Sequence, residues 1–234
     1  MGVSRLKIID LSQPIFTGMT VWPGHLKTYI FPYTTHEETK RRYKLSFETR
    51  GIILCDHGTT HVDAPLHLDP NGKSVDQLPL ELFYREAVCI DARHVPPGEA
   101  ITVKDIEEYC RKTGLEIREG DIVLFCIGHY DRHTNAKLEY VLEPFQGINA
   151  ETARWLAEKG VVGVGFDGPA ADCSKNIARG EFPADEVLKE KKILCFENLC
   201  NLDKLVGKRF RFIAFPLKLV GATASPIRPV AILE

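Results

Sequence analysis

The 234-residue chain has no run of about 18 consecutive apolar residues, so no segment of it is expected to cross a bilayer as a helix. Its opening, MGVSRLKIIDLSQP, lacks the apolar stretch of a signal peptide, and Leu6 stands where myristoylation wants Ser or Thr. Neither charge is in excess. Thirty Lys and Arg against 32 Asp and Glu leave a formal net charge of −2, which argues against nucleic acid or an anionic membrane as a partner. The densest basic stretch, Lys40, Arg41, Arg42 and Lys44, lies among Glu37, Glu38 and Glu48 and reads as a solvated face. There is no C-x-x-C pair. The seven cysteines are odd in number, scattered and mostly set in apolar segments, the pattern of reduced, buried thiols in a cytoplasmic protein. No internal repeat and no Pro/Gly/Ser-rich linker divides the chain.

What is present is an ordinary globular composition, 44% apolar and 26% charged. Short apolar runs rich in β-branched residues recur at 6–10, 87–91, 121–128, 161–167, 193–198, 211–217 and 229–234, and each is a strand candidate. Two amphipathic stretches between them predict helices. One runs from Thr102 to Lys112, with Thr102 and Asp105 fitting a capping box; the other runs from Asn149 to Lys159, with Asn149 as N-cap and Gly160 as the stop. Strands interrupted by a few helices, without a break in composition, predict one α/β domain over residues 1–234. The polar, aromatic segment 128–147 has weak periodicity and reads as a long loop of the kind that covers a site.

Chemistry concentrates in CDHGTTHVDAPLHLD, residues 55–69, which holds three of the eight histidines and three aspartates. His57 and His61 are four apart, Asp63 follows at two, and Pro65 forbids a regular helix through the segment. Imidazole nitrogens and a carboxylate oxygen suit Zn²⁺, Mn²⁺ or Fe²⁺, and three protein ligands with one open position is the usual arrangement for hydrolysis. His67, four residues after Asp63, is placed to serve as a general acid or base, because an imidazole titrates near neutral pH. A lone histidine is more often a satisfied loop residue than a ligand; four such residues at this spacing favour the metal. His129 and His133 repeat the four-residue spacing with only Asp131 between them, and read as loop or pocket-rim residues, with a second metal site as the lesser alternative. His25, His36 and His94 carry no separate signal.

The string HGTTHVDAPLH resembles the H-x-G-[TA]-H-x-D-x-P-x-H pattern of the putative cyclase family, the kynurenine formamidase-like metal-dependent hydrolases. It departs at Thr59, where the pattern has Gly. Three further segments resemble the family in order: IDLSQPIFTGMTVWPG near the start, GINAETARWLAEKGVVGVGFDGPAAD with Asp167 and Asp172, and FPLKLVGATASPIRPVAIL at the end. The resemblance implies a swivelling β/β/α fold with a mixed central sheet, a homo-oligomer, commonly a dimer, and a divalent metal, Zn first and Mn second. It also implies further ligands in the second half, a His twelve residues before a Glu in an E-N-L context. Here the Glu is Glu197, and twelve residues earlier stands Asp185. A carboxylate there would tilt the site toward Mn²⁺ or leave a single metal; Asp185 reads equally well as the N-cap of a helix over EVLKEK. Glu197 follows the apolar run Ile193–Phe196, where a charge needs a partner, and a metal is one. Trp22 is the candidate for lining the substrate pocket, while Phe83 reads as core.

The sequence thus predicts a hydrolase that holds a divalent metal with His57, His61, Asp63, Glu197 and Asp185, uses His67 for proton transfer, and opens a small-molecule amide, formamide or lactone. An arylformamidase acting on N-formylkynurenine is the near alternative. A catalytically silent metal- or ligand-binding protein, suggested by the missing His at 185, is the distant one.

Overall fold

A computed structural model describes residues 6–133 and 139–233. The strands are β1 (Lys7–Asp10), β2 (Tyr29–Thr34), β3 (Thr49–Ile53), β4 (His61–Asp63), β5 (Tyr84–Asp91), β6 (Ala100–Ile101), β7 (Ile122–Cys126), β8 (Gly147–Ile148), β9 (Gly163–Phe166), β10 (Leu194–Glu197), β11 (Arg209–Ile213), β12 (Ala224–Pro226) and β13 (Val230–Leu233). The helices are α1 (His36–Arg42), α2 (Val103–Thr113), α3 (His129–His133), α4 (Glu139–Leu142), α5 (Ala150–Glu158), α6 (Ser174–Ile177) and α7 (Pro183–Lys191). None is long and apolar enough to cross a membrane.

Nine strands form one mixed sheet in the order β1-β13-β11-β5-β7-β9-β10-β4-β12. Its centre, β5-β7-β9-β10, is parallel, and antiparallel strands flank it on both sides. The sequence explains the centre: IVLFC of β7 and GVGF of β9 are apolar throughout and buried on both faces, as parallel strands must be. One face packs Val123, Phe125 and Phe166 against Ile106 of α2, Leu156 of α5 and Leu188 of α7. The other packs Leu124, Phe196 and Phe212 with Leu11, Phe83 and Leu202. Each face therefore has its own apolar layer, and the sheet is the shared wall.

All seven strand segments expected from sequence contain strands, most trimmed by a residue or two; β5 is extended at the amino end, and β11 is shifted, starting two residues earlier and ending four earlier than expected. Both expected helices form. Thr102 and Asp105 close a reciprocal capping box on α2, which ends at Gly114 in the left-handed region (φ 72°). Asn149 caps α5 by accepting from the Thr152 N–H at 2.8 Å. The expected loop at 128–147 is corrected in part. Its described residues contain α3, α4 and β8, two of them a single turn or a single pair long, too short to leave a periodic signal. Their hold is tertiary: His129 Nε2 meets the Tyr140 carbonyl, and the His129 ring lies edge-on to Phe145. Sequence reading missed β2 and β3, whose strand residues are mostly exposed and interrupted by Pro32, so neither apolar alternation nor continuous burial marks them.

Candidate active site

The site lies where the parallel centre of the sheet meets its antiparallel edge. β10 ends in Glu197 and pairs antiparallel with β4, Glu197 opposite His61 and Phe196 opposite Val62. Side chains alternate across a strand, so His61, Asp63, Cys195 and Glu197 share one face while Val62 and Phe196 enter the apolar layer on the other. This is the carboxyl end of β7, β9 and β10, where open α/β sheets bind their ligands.

Hydrogen bonds fix which nitrogen each histidine presents. His61 Nδ1 lies 2.6 Å from the Thr59 carbonyl oxygen and donates to it, leaving the Nε2 lone pair free. The Thr223 hydroxyl donates to Asp56 Oδ2 at 2.8 Å and so accepts from His57 Nε2 at 3.0 Å, which turns the His57 Nδ1 lone pair toward Asp63. His57 Nδ1 is 2.9 Å and His61 Nε2 3.3 Å from Asp63 Oδ1, and His61 Nε2 is 3.5 Å from Glu197 Oε2. Despite these separations, His61 Nε2 and Asp63 Oδ1 are buried without completing a hydrogen bond. Buried polar atoms left unpaired are costly, and a cation among them satisfies both at once. The donor atoms of His57, His61 and Asp63 lie within 4.8 Å of one another, and so do those of Asp63, Cys195 and Glu197. The residues present therefore fit a divalent metal.

The electrostatics agree. Burial would raise the Asp63 carboxyl, but the adjacent His61 and His57 outweigh it and hold the group well below the usual carboxylate range. Burial would lower His57, yet its contact with Asp63 wins and raises it. Glu197 is pushed well up by burial and by the neighbouring Asp63 and Asp185 carboxylates. Asp185 is pushed up to about 8 by burial and by Asp172 and Asp63. Three crowded carboxylates with two histidines are short of positive charge, and a divalent cation supplies it.

A cavity of about 200 Å³ opens onto these groups. Met19, Val21, Trp22, Val141, Ile177 and Phe182 form its apolar wall, and His57, His61, His67, Asp185 and Glu197 its polar end. His67, on a single 3-10 turn (Pro65–His67), lines the cavity with its ring centroid 4.2 Å from that of His57. Loss of hydration lowers its pKa, Asp63 opposes this, and the charges of His57 and His61 push it down further, so the ring is a neutral base at pH 7.

The structure brings His57, His61, Asp63 and Glu197 together, puts His67 and Trp22 on the cavity, and places Asp185 beside Glu197 there but outside both compact donor groups. The N-cap reading of Asp185 is overturned. α7 begins at Pro183, two residues earlier, and the N–H groups of Ala184 and Asp185 donate to the Asp172 carboxylate at 3.0 Å each, so the capping anion is Asp172. Sequence reasoning missed His25, which lines the cavity with its ring centroid 5.9 Å from His57. It also missed the Asp56–Thr223 pair and Asn198, whose amide Oδ1 accepts from Tyr140 at 2.7 Å. Thr223 lies 166 residues from His57, beyond any local pattern. Cys195 carried one signal that could have found it: it is two residues before Glu197 on a strand.

A profile of the putative cyclase family matches residues 9–173. The chain belongs to that family. Among its relatives is a kynurenine formamidase of Bacillus cereus, 29% identical over 95% of each chain. Isatin hydrolase A from Ralstonia solanacearum superposes with a TM-score of 0.87 at 24% identity, over 98% of this chain and 92% of the other, and shares the fold. A predicted metal-dependent hydrolase from Bacillus stearothermophilus superposes with a TM-score of 0.72 at 27% identity, over 98% and 99%. The cyclase-family chain is accordingly an enzyme, a metal-dependent hydrolase, and its mixed α/β sheet is the family's.

Proposed function

We propose that this enzyme hydrolyses the C–N bond of a small aromatic amide, either a cyclic amide such as isatin or an N-formyl aromatic amine, with lactones as a further class. The observation that carries the reading is the pair of buried, unpartnered atoms His61 Nε2 and Asp63 Oδ1, 3.3 Å apart, with His61 lining the cavity that Trp22, Met19, Val141 and Phe182 wall. The metal ligands are His57, His61, Asp63 and Glu197, with Asp185 beside them. The mixed nitrogen and oxygen donors suit Zn²⁺ first and Mn²⁺ second. A divalent ion there would polarise the carbonyl and lower the pKa of water toward neutrality.

The remaining steps belong to the chain. Trp22 and its apolar neighbours hold an aromatic ring with the carbonyl toward the histidines. His67, neutral at pH 7, accepts a proton from the attacking water as the new C–O bond forms, and returns it to the nitrogen as the C–N bond breaks. The kynurenine formamidase relatives favour N-formylkynurenine as one substrate to test, and the isatin hydrolase neighbours favour isatin.

The same reading treats residues 1–234 as one working domain in a reducing compartment, the cytoplasm, in keeping with seven free thiols. It also takes the enzyme as a homo-oligomer, a dimer or higher. Support comes from β2 and β3, which expose Tyr29, Phe31, Tyr33, Ile52 and Ile53 on a two-stranded sheet that wants covering.

The test is turnover by Zn²⁺- and Mn²⁺-loaded protein of isatin, N-formylkynurenine and simple aryl lactones, with His67→Gln alongside. Turnover of at least one, reduced about 10²–10⁴-fold in kcat by His67→Gln with bound metal unchanged, is expected. A metal-loaded protein inert toward the whole panel would put a silent binder in place of the enzyme.

A further inference from the structure

We infer that Cys195 supplies a sulfur ligand at the Asp63–Glu197 end of the metal site, where the family resemblance implies a His and a Glu but no cysteine. The inference rests on the reading that a divalent cation binds at the histidines, and goes beyond it by adding a donor of a different kind.

Strand register makes the case. Glu197 faces His61 and Phe196 faces Val62 across β10 and β4, and one step further along brings Cys195 level with Asp63. Because alternate residues share a face, Cys195 and Glu197 on one strand meet His61 and Asp63 on the other as a square of four donors. The donor atoms of Asp63, Cys195 and Glu197 lie within 4.8 Å of one another, with Cys195 Sγ 3.6 Å from Glu197 Oε1. His61 Nε2, on a side chain only 2% exposed, is unpartnered and 3.5 Å from Glu197 Oε2, so the square is short of a positive centre on two sides.

Space is available too. Cys195 lines a cavity of about 30 Å³ with Asp63 and Asp185, on the flank formed by Ala64, Leu188 and Ile193 rather than in the substrate cavity; Glu197 stands outside its lining, and the exposed Lys189 and Lys192 complete the rim. That is room for one ion or one water. Cys195 is only 5% exposed and packs in the apolar layer with Leu188 and Ile193, but its Sγ also reaches to 3.6 Å from the Glu197 carboxylate. On binding, the S–H proton leaves to solvent and a sulfur–metal bond forms, with no change of oxidation state. A thiolate donor would bias the position toward Zn²⁺, Co²⁺ or Cd²⁺ and away from Mn²⁺ and Mg²⁺.

Cobalt absorption tests this without turnover. Metal-free protein is titrated with Co²⁺, in the wild type and in Cys195→Ser and Cys195→Ala. Expected is an intense near-ultraviolet thiolate-to-cobalt band in the wild type, lost in both variants while the weak visible bands of histidine-bound Co²⁺ persist. Visible bands without the near-ultraviolet band in the wild type, or a near-ultraviolet band that survives both substitutions, would overturn the sulfur ligand and leave the hydrolase reading standing. No cobalt spectrum at all would overturn both. The wild-type titration decides on the first count even if a variant does not fold.

Discussion

Two histidine pairs in this chain look alike in sequence and close to alike in space. His57 and His61 are four residues apart with ring centroids 5.0 Å apart; His129 and His133 have the same spacing with centroids 4.7 Å apart. Their partners differ. His61 turns a free Nε2 toward Asp63 and Glu197, because the Thr59 carbonyl holds Nδ1. His129 spends Nε2 on the Tyr140 carbonyl and packs its ring against Phe145, and no carboxylate pairs with either member among the described contacts. Spacing brings imidazoles together; what suits the first pair to the proposed metal is a neighbouring strand that delivers Glu197 opposite His61.

The sharpest way to break this comparison is to truncate one member of each pair. His61→Ala should reduce bound metal to background and lower kcat/KM by at least about 10³, whereas His129→Ala should keep its metal, both read by elemental analysis and steady-state kinetics. Equal metal loss from the two would mean that spacing, and not the cross-strand carboxylate, defines the site. A smaller effect probes the fixed ring orientation. Thr223→Val removes the hydroxyl between Asp56 and His57, and should weaken metal binding about 10–100-fold in a chelator competition while the far-ultraviolet spectrum stays unchanged.

The same contrast marks what the sequence could and could not reveal. Residues 55–69 announce the candidate ligands because His57, His61 and Asp63 sit on one short strand and the turn before it, with His67 on the turn after it. The parallel centre of the sheet is equally legible, since IVLFC and GVGF can be nothing but buried strands in so short a run. Glu197 was reachable because a charge at the end of an apolar strand needs a partner. Thr223 and Asp56 were out of reach, being joined only when β12 pairs with β4. Asp185 was ambiguous for a physical reason: a carboxylate near a helix start suits both a cap and a ligand, and only the observed bonds from Ala184 and Asp185 to Asp172 separate the two. His129 was misplaced at the rim because α3 and α4 are too short to show a period, while the group itself is fully buried.

That burial gives the smallest and most specific prediction. His129 is lowered to about 4, chiefly by loss of hydration, with the Tyr140 carbonyl opposing and His133 and Arg132 adding to the fall. Its folded value lies below the ordinary 6.5, so on acidification the unfolded chain takes up a proton first. The His129 contribution is therefore intact above about pH 6.5 and is lost progressively as pH falls toward 4. Between pH 7.5 and 5 the loss is on the order of 2 kcal/mol. His129→Gln, which cannot titrate, should lack that share, so the stability difference between wild type and variant narrows or reverses on going to pH 5 in denaturant titrations. A difference that does not change with pH would show that His129 takes up its proton as readily inside the fold as in the unfolded chain. Burial would then not be what sets the second pair apart from His57 and His61.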